Sequence, residues 1–88
     1  MASEPVELNK MKIDSEAGTG YYQLTENPVM YTIDLDDLAI ADYDEQGKVV
    51  GVEFLDAKKG ERELEKYLEL ARRTTGGKAT RRPKPPSA

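Results

Sequence analysis

The chain has 88 residues and a formal net charge of −4, and it contains neither cysteine nor histidine. A chain of this length forms one small domain, and without cysteine it has neither a disulfide framework nor cysteine-ligated zinc. Histidine is the commonest general base near neutral pH and a common metal ligand. We therefore expect no enzyme, with no catalytic residues, no metal site and no cofactor.

The charges are distributed unevenly along the chain. Up to residue 57 there are 13 acidic residues against 3 lysines, and from residue 58 onward there are 10 basic residues against 4 glutamates. The sequence thus has an acidic part up to residue 57, which we call the acidic body, and a basic part from residue 58 onward, which we call the basic tail. Its first residues lack the features of a secretory signal, and no apolar run approaches the length of a membrane span. We expect a cytoplasmic protein that does not enter a membrane.

Residues 1–10 are predicted to be a flexible leader that precedes a single domain at residues 11–73. The first half of that domain contains three segments with the composition of strands, which are residues 11–13, 21–24 and 29–35. The two glycines of EAGTG mark a turn between the first two strands, and Pro28 marks the start of the third. Asp36 and Asp37 close this third strand.

Two further strands, LAIADY and VVGVEFL, flank the loop DEQGK. We expect a hairpin in which Gly47 adopts the left-handed conformation of a G1 bulge. A register that places Asp44 opposite Lys48 and Ile40 opposite Val52 gathers the large apolar side chains on one face. That predicted face consists of Leu38, Ile40, Val50, Val52 and Phe54. The same register places Asp42 on it, near its open end.

The stretch DYDEQGKVVGVE, from Asp42 to Glu53, also fits four of the five characteristic positions of an EF-hand calcium loop. Gln46 stands where the pattern requires Asp or Asn. An EF-hand loop lies between two helices, whereas the segments on either side of this stretch have the composition of strands. The hairpin is therefore the favoured interpretation, and weak calcium binding at this loop is the alternative.

After residue 57 the apolar period changes from two residues to 3.6. One stripe is formed by Leu64, Tyr67, Leu68 and Ala71, which predicts an amphipathic helix over residues 61–73. Gly76 and Gly77 end the helix, and residues 74–88 are predicted to be a disordered, basic, proline-containing tail. The fold class is therefore α+β: a small antiparallel β-meander of four to five short strands followed by one C-terminal amphipathic helix.

The hairpin segment DYDEQGKVVGVEFLDA resembles the signature of a widespread bacterial family of small proteins, known as domain of unknown function 2283. Matching residues in the hairpin are Asp42, Tyr43, Asp44, Gly47, Val50, Gly51, Glu53, Leu55, Asp56 and Ala57. The first two strands match more loosely, through Met11, Lys12, Ile13, Ala17, Tyr21, Tyr22 and Leu24. The first strand lacks the Tyr-Asp pair that usually follows it in the family. The resemblance implies a β-meander with a short helix and no established activity.

Function is expected to lie in binding. The first hypothesis is a protein-interaction module, antitoxin-like or regulatory, whose acidic residues cluster at one end of the sheet and attract a basic partner. The predicted partner-binding residues are Asp34, Asp36, Asp37, Asp44 and Glu45. The second hypothesis is nucleic-acid association through the tail residues Arg72, Arg73, Lys78, Arg81, Arg82 and Lys84. Self-association into a homodimer through a sheet edge or the helix is the third.

Overall fold

The computed structural model describes residues 7–74 and, for the backbone alone, residues 82–83. Five strands come first and two helices follow, after which a two-residue strand completes the described structure. The elements are β1 (Met11–Asp14), β2 (Thr19–Gln23), β3 (Tyr31–Asp36), β4 (Ala39–Tyr43), β5 (Val49–Phe54), α1 (Ala57–Arg62), α2 (Leu64–Thr74) and β6 (Arg82–Pro83). The predicted α+β class, an antiparallel meander followed by C-terminal helical structure, is confirmed.

All strands belong to one antiparallel sheet in the order β1-β2-β5-β4-β3-β6. Strands β3, β4 and β5 follow one another as a meander, and the β1–β2 hairpin joins it through the pairing of β2 with β5. The connection from β2 to β3 therefore passes the end of β5 and β4. Strand β6 pairs with the outer edge of β3 and lies within the segment predicted to be disordered.

The two helices cover one face of the sheet, and the hydrophobic core lies between the helices and the sheet. Tyr67 and Ala71 of α2 are fully buried there against Ile33, Ala41 and Phe54 of the sheet. The Phe54 and Tyr67 rings meet edge to face, with their centroids 5.3 Å apart. The predicted apolar stripe of the helix is thus the surface that packs on the sheet, with Leu64 and Leu68 half-buried at its margin.

The β4–β5 hairpin forms as predicted, but its register differs from the expected one. Tyr43 pairs with Val49 as predicted, whereas Asp42 pairs with Gly51, so that Val50 is left as a bulge. A bulge adds one residue to one strand, and the side chains beyond it change faces. Ala39, Ala41 and Tyr43 therefore face the helices, together with Val52 and Phe54. The predicted apolar face was wrong for Ile40, which lies on the opposite face with Asp42.

The helical region differs from the predicted single helix over residues 61–73. It begins at Ala57, because Asp56 caps α1 by accepting hydrogen bonds from the backbone N–H groups of Lys58 and Lys59. The chain then leaves helical geometry at Glu63, which separates α1 from α2. Gly60 lies inside α1 and not at its end. A Cβ there would lie 2.5 Å from Cγ of Phe54, so this glycine lets α1 approach the sheet closely.

Candidate interaction surface

The face of the sheet opposite the helices is not covered by any helix among the described residues. We call this surface the open face. Cross-strand pairing and alternation place ten side chains on it: Lys12, Asp14, Thr19, Tyr21, Gln23, Thr32, Asp34, Ile40, Asp42 and Glu53. Four of the ten are acids and one, Lys12, is basic, and the set alternates along each strand with the residues that face the helices. The open face is therefore a polar, negatively charged surface on a rigid sheet.

At the centre of the open face, the Tyr21 hydroxyl donates a hydrogen bond of 2.8 Å to Oδ2 of Asp42. Tyr21 lies on β2 and Asp42 on β4, so the tyrosine ring crosses the intervening strand β5 at Gly51. A Cβ at Gly51 would lie 2.6 Å from Cζ of Tyr21, which makes glycine necessary at this position. The ring shields Asp42, which is only 3% exposed although none of the described helices covers it.

Burial and the surrounding negative charges raise the pKa of the Tyr21 hydroxyl. Burial is the largest cause, followed by the negative charge of Asp42, its hydrogen bond, and the charge of Glu53. Tyr21 therefore stays protonated and remains a donor to Asp42 at physiological pH. Glu53 pairs across the sheet with Tyr21 on one side and with Ile40 on the other. Asp34 lies at the margin of the open face and is exposed.

Neither Tyr21 nor Glu53 was among the predicted partner-binding residues. The predicted register left Glu53 off the face that it assigned to Ile40 and Asp42, and it gave Tyr21 no position on that face. The pairing of β2 with β5 brings Tyr21 beside Glu53, and the bulge at Val50 brings Ile40 and Asp42 onto the same face. Alternation along β2 indicates a face for Tyr21 relative to Tyr22, but it does not identify the neighbouring strand.

Asp44 begins the β4–β5 loop and is engaged within the fold. Its Oδ1 accepts hydrogen bonds from the backbone N–H groups of Gln46 and Lys48, and its Oδ2 accepts one from the Asn27 side chain. These bonds, the Lys48 backbone bond first, hold the pKa of Asp44 below its usual range. Asp44 is 5% exposed, so it shapes the loop, while its neighbour Glu45 is exposed.

The predicted clustering of acids at one end of the sheet was wrong. Asp36 and Asp37 lie at the β3–β4 turn, whereas Asp44 and Glu45 lie at the β4–β5 turn. Because β4 separates these two turns, the acidic pairs are about 15 Å apart at a rise of about 3.3 Å per residue. The acids that the sheet does bring onto one surface are Asp14, Asp34, Asp42 and Glu53.

Asp36 links the sheet to the helix. Its Oδ1 accepts a hydrogen bond from the Leu38 backbone, and its Oδ2 accepts one of 2.7 Å from the hydroxyl of the buried Tyr67. Partial burial opposes ionisation of Asp36, but these hydrogen bonds and the nearby Lys59 outweigh it and lower its pKa. Burial and the same bond raise the pKa of Tyr67 to about 12. Asp36 therefore has a structural role, and Asp37 is exposed beside it.

The predicted nucleic-acid residues are only partly within the described structure. Arg72 and Arg73 are exposed in the last turn of α2, and Arg73 forms an ion pair of 2.6 Å with Glu69. Arg82 belongs to strand β6, where its backbone pairs with Thr32. Lys78, Arg81 and Lys84 lie outside the described residues. Nucleic-acid association through this tail stays a prediction, as does the homodimer.

The segment Asp42–Glu53 consists of the end of β4, the loop of residues 44–48 and most of β5, so it lacks the two flanking helices of an EF-hand. Gly47 has φ +81°, which confirms the predicted left-handed conformation. Asp42 and Asp44 are hydrogen-bonded to Tyr21 and Asn27, and Glu53 lies four residues along β5 from the loop. Among the residues that the structure describes, no three acidic side chains are grouped to hold a metal ion.

Fold and surface together define a small α+β domain whose sheet has one helix-covered face and one polar face. The sequence profile of the family described as "Protein of unknown function (DUF2283)" matches residues 10–58, more than half of the chain. The chain therefore belongs to this family, as its hairpin signature predicted. Comparison with curated proteins and with solved structures yields no significant match. No helix in the described part of the chain is long and apolar enough to span a membrane.

Proposed function

We propose that this protein is an interaction module that binds a basic protein partner through the open face of its sheet. The observation that supports this proposal is that Asp34 and Glu53 share a sheet face that no described helix covers, with the shielded Asp42 beneath Tyr21 between them. A strand face of this kind is rigid, so its side chains are held in place before a partner arrives. Rigid presentation lowers the entropy cost of binding.

Charge complementarity determines the kind of partner. The open face combines acids with the aromatic ring of Tyr21 and the apolar side chain of Ile40. Such a surface suits arginine and lysine side chains, because a guanidinium group can pair with carboxylates and stack on an aromatic ring. The finer proposal is an antitoxin-like or regulatory partner in the cytoplasm, in which the open face covers a cationic site on another small protein.

The test begins with co-purification from the native host and measures the affinity of the stoichiometric partner by calorimetry. Reversing two charges of the open face, through Asp34→Lys and Glu53→Lys, should weaken binding at least about tenfold, because like charges then face each other. A matched variant with Glu26→Lys and Glu65→Lys makes the same change in net charge at two exposed positions away from the open face. It should bind almost as the unmodified chain does.

Two results would contradict the proposal. One is a chain that co-purifies with no stoichiometric protein. The other is an equal loss of affinity in both charge-reversed variants, which would show a general effect of net charge and no role for the open face. Circular dichroism of each variant establishes that the sheet is retained before the affinities are compared.

A further inference from the structure

The outer edge of β3 pairs with the short strand β6. Among the described residues only Arg82–Pro83 pairs with it, in the register Tyr31 to Pro83 and Thr32 to Arg82. The backbone N–H and C=O groups on the outer side of an edge strand form a template on which another extended segment can pair. The chain thus places a piece of its own basic tail on this template.

This cover is short and incomplete. Strand β6 has two residues, against six in β3. Proline has no backbone N–H, so the Tyr31–Pro83 pair carries at most one ladder hydrogen bond, donated by Tyr31. A competing segment with a donor at each position would form a longer ladder. The pairing of β6 with β3 is therefore short enough for another extended segment to displace it.

The two edges of the sheet differ in how well they suit an added strand. Strand β1 has only four residues, and Lys12 and Asp14 place exposed charges along it. Short, charged edge strands discourage pairing. Strand β3 is longer, with the buried Ile33 at its centre, and its register shifts between Asp34 and Asp36. Because this irregularity disrupts the far half, the part of β3 suited to pairing is Tyr31–Asp34.

Charge also favours a basic segment at this edge. Asp34 is exposed two residues beyond Thr32, which pairs with Arg82, and Asp36 and Asp37 follow at the end of the same strand. The tail has no acidic residue after Leu70. The segment that the structure places on the edge is thus the kind of sequence that an acidic strand attracts.

We propose that the Tyr31–Asp34 edge of β3 is a strand-addition site for an extended, basic segment of a protein partner. Arg82–Pro83 occupies this site in competition with the partner. Addition of a strand supplies main-chain hydrogen bonds, and alternate side chains then supply selectivity. The proposal rests on the proposed function for the existence of a partner, whereas the edge itself can be tested without one.

The test uses a synthetic peptide with the sequence of residues 78–88, KATRRPKPPSA, added to the full-length chain. Binding is followed by backbone amide shifts in two-dimensional NMR spectra. The full-length variant Arg82→Asp should release its own tail from the acidic edge and bind the peptide about threefold or more tightly than the unmodified chain. That factor corresponds to a tail that occupies the edge about two-thirds of the time. The largest shifts should fall on the amides of Tyr31–Asp34.

The variant Lys58→Asp is the matched control, because it makes the same charge change at an exposed position on α1. It should bind the peptide as the unmodified chain does. Absence of binding to Arg82→Asp at millimolar peptide, equal affinity for all three chains, or shifts confined to other strands would each overturn the proposal. If the edge fails while the open-face variants still lose their partner, the proposed function stands and only its mode of docking is wrong.

Discussion

The contact between Tyr21 and Asp42 depends on a third residue, Gly51, that contributes no side chain. The glycine leaves room for the tyrosine ring to cross β5, and the ring delivers its hydroxyl to a carboxylate two strands away. A buried carboxylate is costly unless it is hydrogen-bonded, so Asp42 needs the Tyr21 hydroxyl, and the Tyr21 ring needs the space that Gly51 leaves. The same logic applies to Gly60, which gives the Phe54 ring its place beneath α1.

Replacing Tyr21 by phenylalanine should destabilise the protein by about 1–3 kcal/mol, because Asp42 loses a donor while its carboxylate stays buried. Urea denaturation measures this change. The matched control is Tyr22→Phe, since Tyr22 lies on the other face and its hydroxyl has no hydrogen-bond partner within the described residues. A loss in Tyr21→Phe no larger than that of the control would contradict the role assigned to this hydrogen bond.

Gly60→Ala gives a test in which two physical effects have opposite signs. Helix propensity alone predicts that alanine in the middle of α1 stabilises the protein by about 0.5–1 kcal/mol. Overlap with the Phe54 ring instead predicts a destabilisation of about 1–3 kcal/mol, and we expect this second outcome. Calorimetric melting decides between them. If ring overlap is the cause, Gly60→Ala should cost less in a Phe54→Leu background than in the unmodified chain.

Two tyrosine hydroxyls form hydrogen bonds that link helix α2 to the sheet at separate points. Tyr43 donates a bond of 2.7 Å to the backbone carbonyl of Ala71, and Tyr67 of α2 donates to Asp36. These bonds fix the position of the helix along the sheet, a task that the apolar stripe alone does not perform. Burial, together with the neighbouring Tyr31, raises the pKa of Tyr43 to about 12.

These pKa shifts predict how stability depends on pH. A raised pKa means that the folded protein favours the protonated tyrosine. The contribution of Tyr43 and Tyr67 is fully present below their ordinary pKa of 10.0 and is lost as the pH rises from about 10 towards 12. The lowered pKa of Asp36 acts in the opposite direction, so its contribution is present above 3.8 and is lost as the pH falls below that value.

Urea denaturation across the pH range measures both slopes. Tyr43→Phe should reduce the alkaline slope and leave the acid slope unchanged. Asp36→Asn should reduce the acid slope, and it should also reduce the part of the alkaline slope that Tyr67 owes to the hydrogen bond and charge of Asp36. An alkaline slope that is identical in the unmodified chain and in Tyr43→Phe would contradict the assignment to Tyr43.

The β4–β5 hairpin depends on a loop whose first residue organises the rest. We expect Asp44→Ala to lower the urea midpoint clearly, because two backbone N–H groups and the Asn27 side chain lose their acceptor. Glu45→Ala, at the exposed neighbouring position, should leave the midpoint nearly unchanged. Calcium at low-micromolar concentration should not shift the melting temperature of the unmodified chain. A rise of several degrees would restore the calcium-loop interpretation.

For the molecule as a whole, the distribution of charge determines which class of partner can bind. The acidic body and the basic tail have opposite effects on nucleic-acid binding, because the body repels the phosphates that the tail attracts. Strand β6 returns part of that tail to the acidic sheet, so the two charges also meet within one chain. This arrangement favours a protein partner, which can present a basic segment without a continuous negative backbone.

We expect the chain to bind duplex DNA only weakly, with no sequence preference and with a steep loss of affinity as salt increases, because only phosphate contacts are available. Fluorescence anisotropy across a salt series measures this. Neutralising the tail through Lys78→Ala, Arg81→Ala and Lys84→Ala should remove the residual binding. Tight binding at physiological salt, or binding unaffected by these substitutions, would contradict the expectation and favour a different nucleic-acid surface.

The sequence alone determined the features that depend on near neighbours. The left-handed Gly47, the hairpin around it and the apolar stripe through Tyr67 and Ala71 all follow from turn chemistry or from a period within a few residues. The family signature at residues 42–57 reflects the same local constraints. For these reasons the α+β class and the order of strands and helix were predictable from the sequence.

Only the tertiary structure decided which residues meet across the sheet. The bulge at Val50 changes the face of Ile40 and Asp42, because a shift of one residue in a strand reverses every side chain beyond it. The pairing of β2 with β5, and with it the Tyr21–Asp42 contact, joins segments whose separation in sequence carries no periodic signal. The interaction surface is composed of such long-range pairs, so its residues emerge only when the strands are placed side by side.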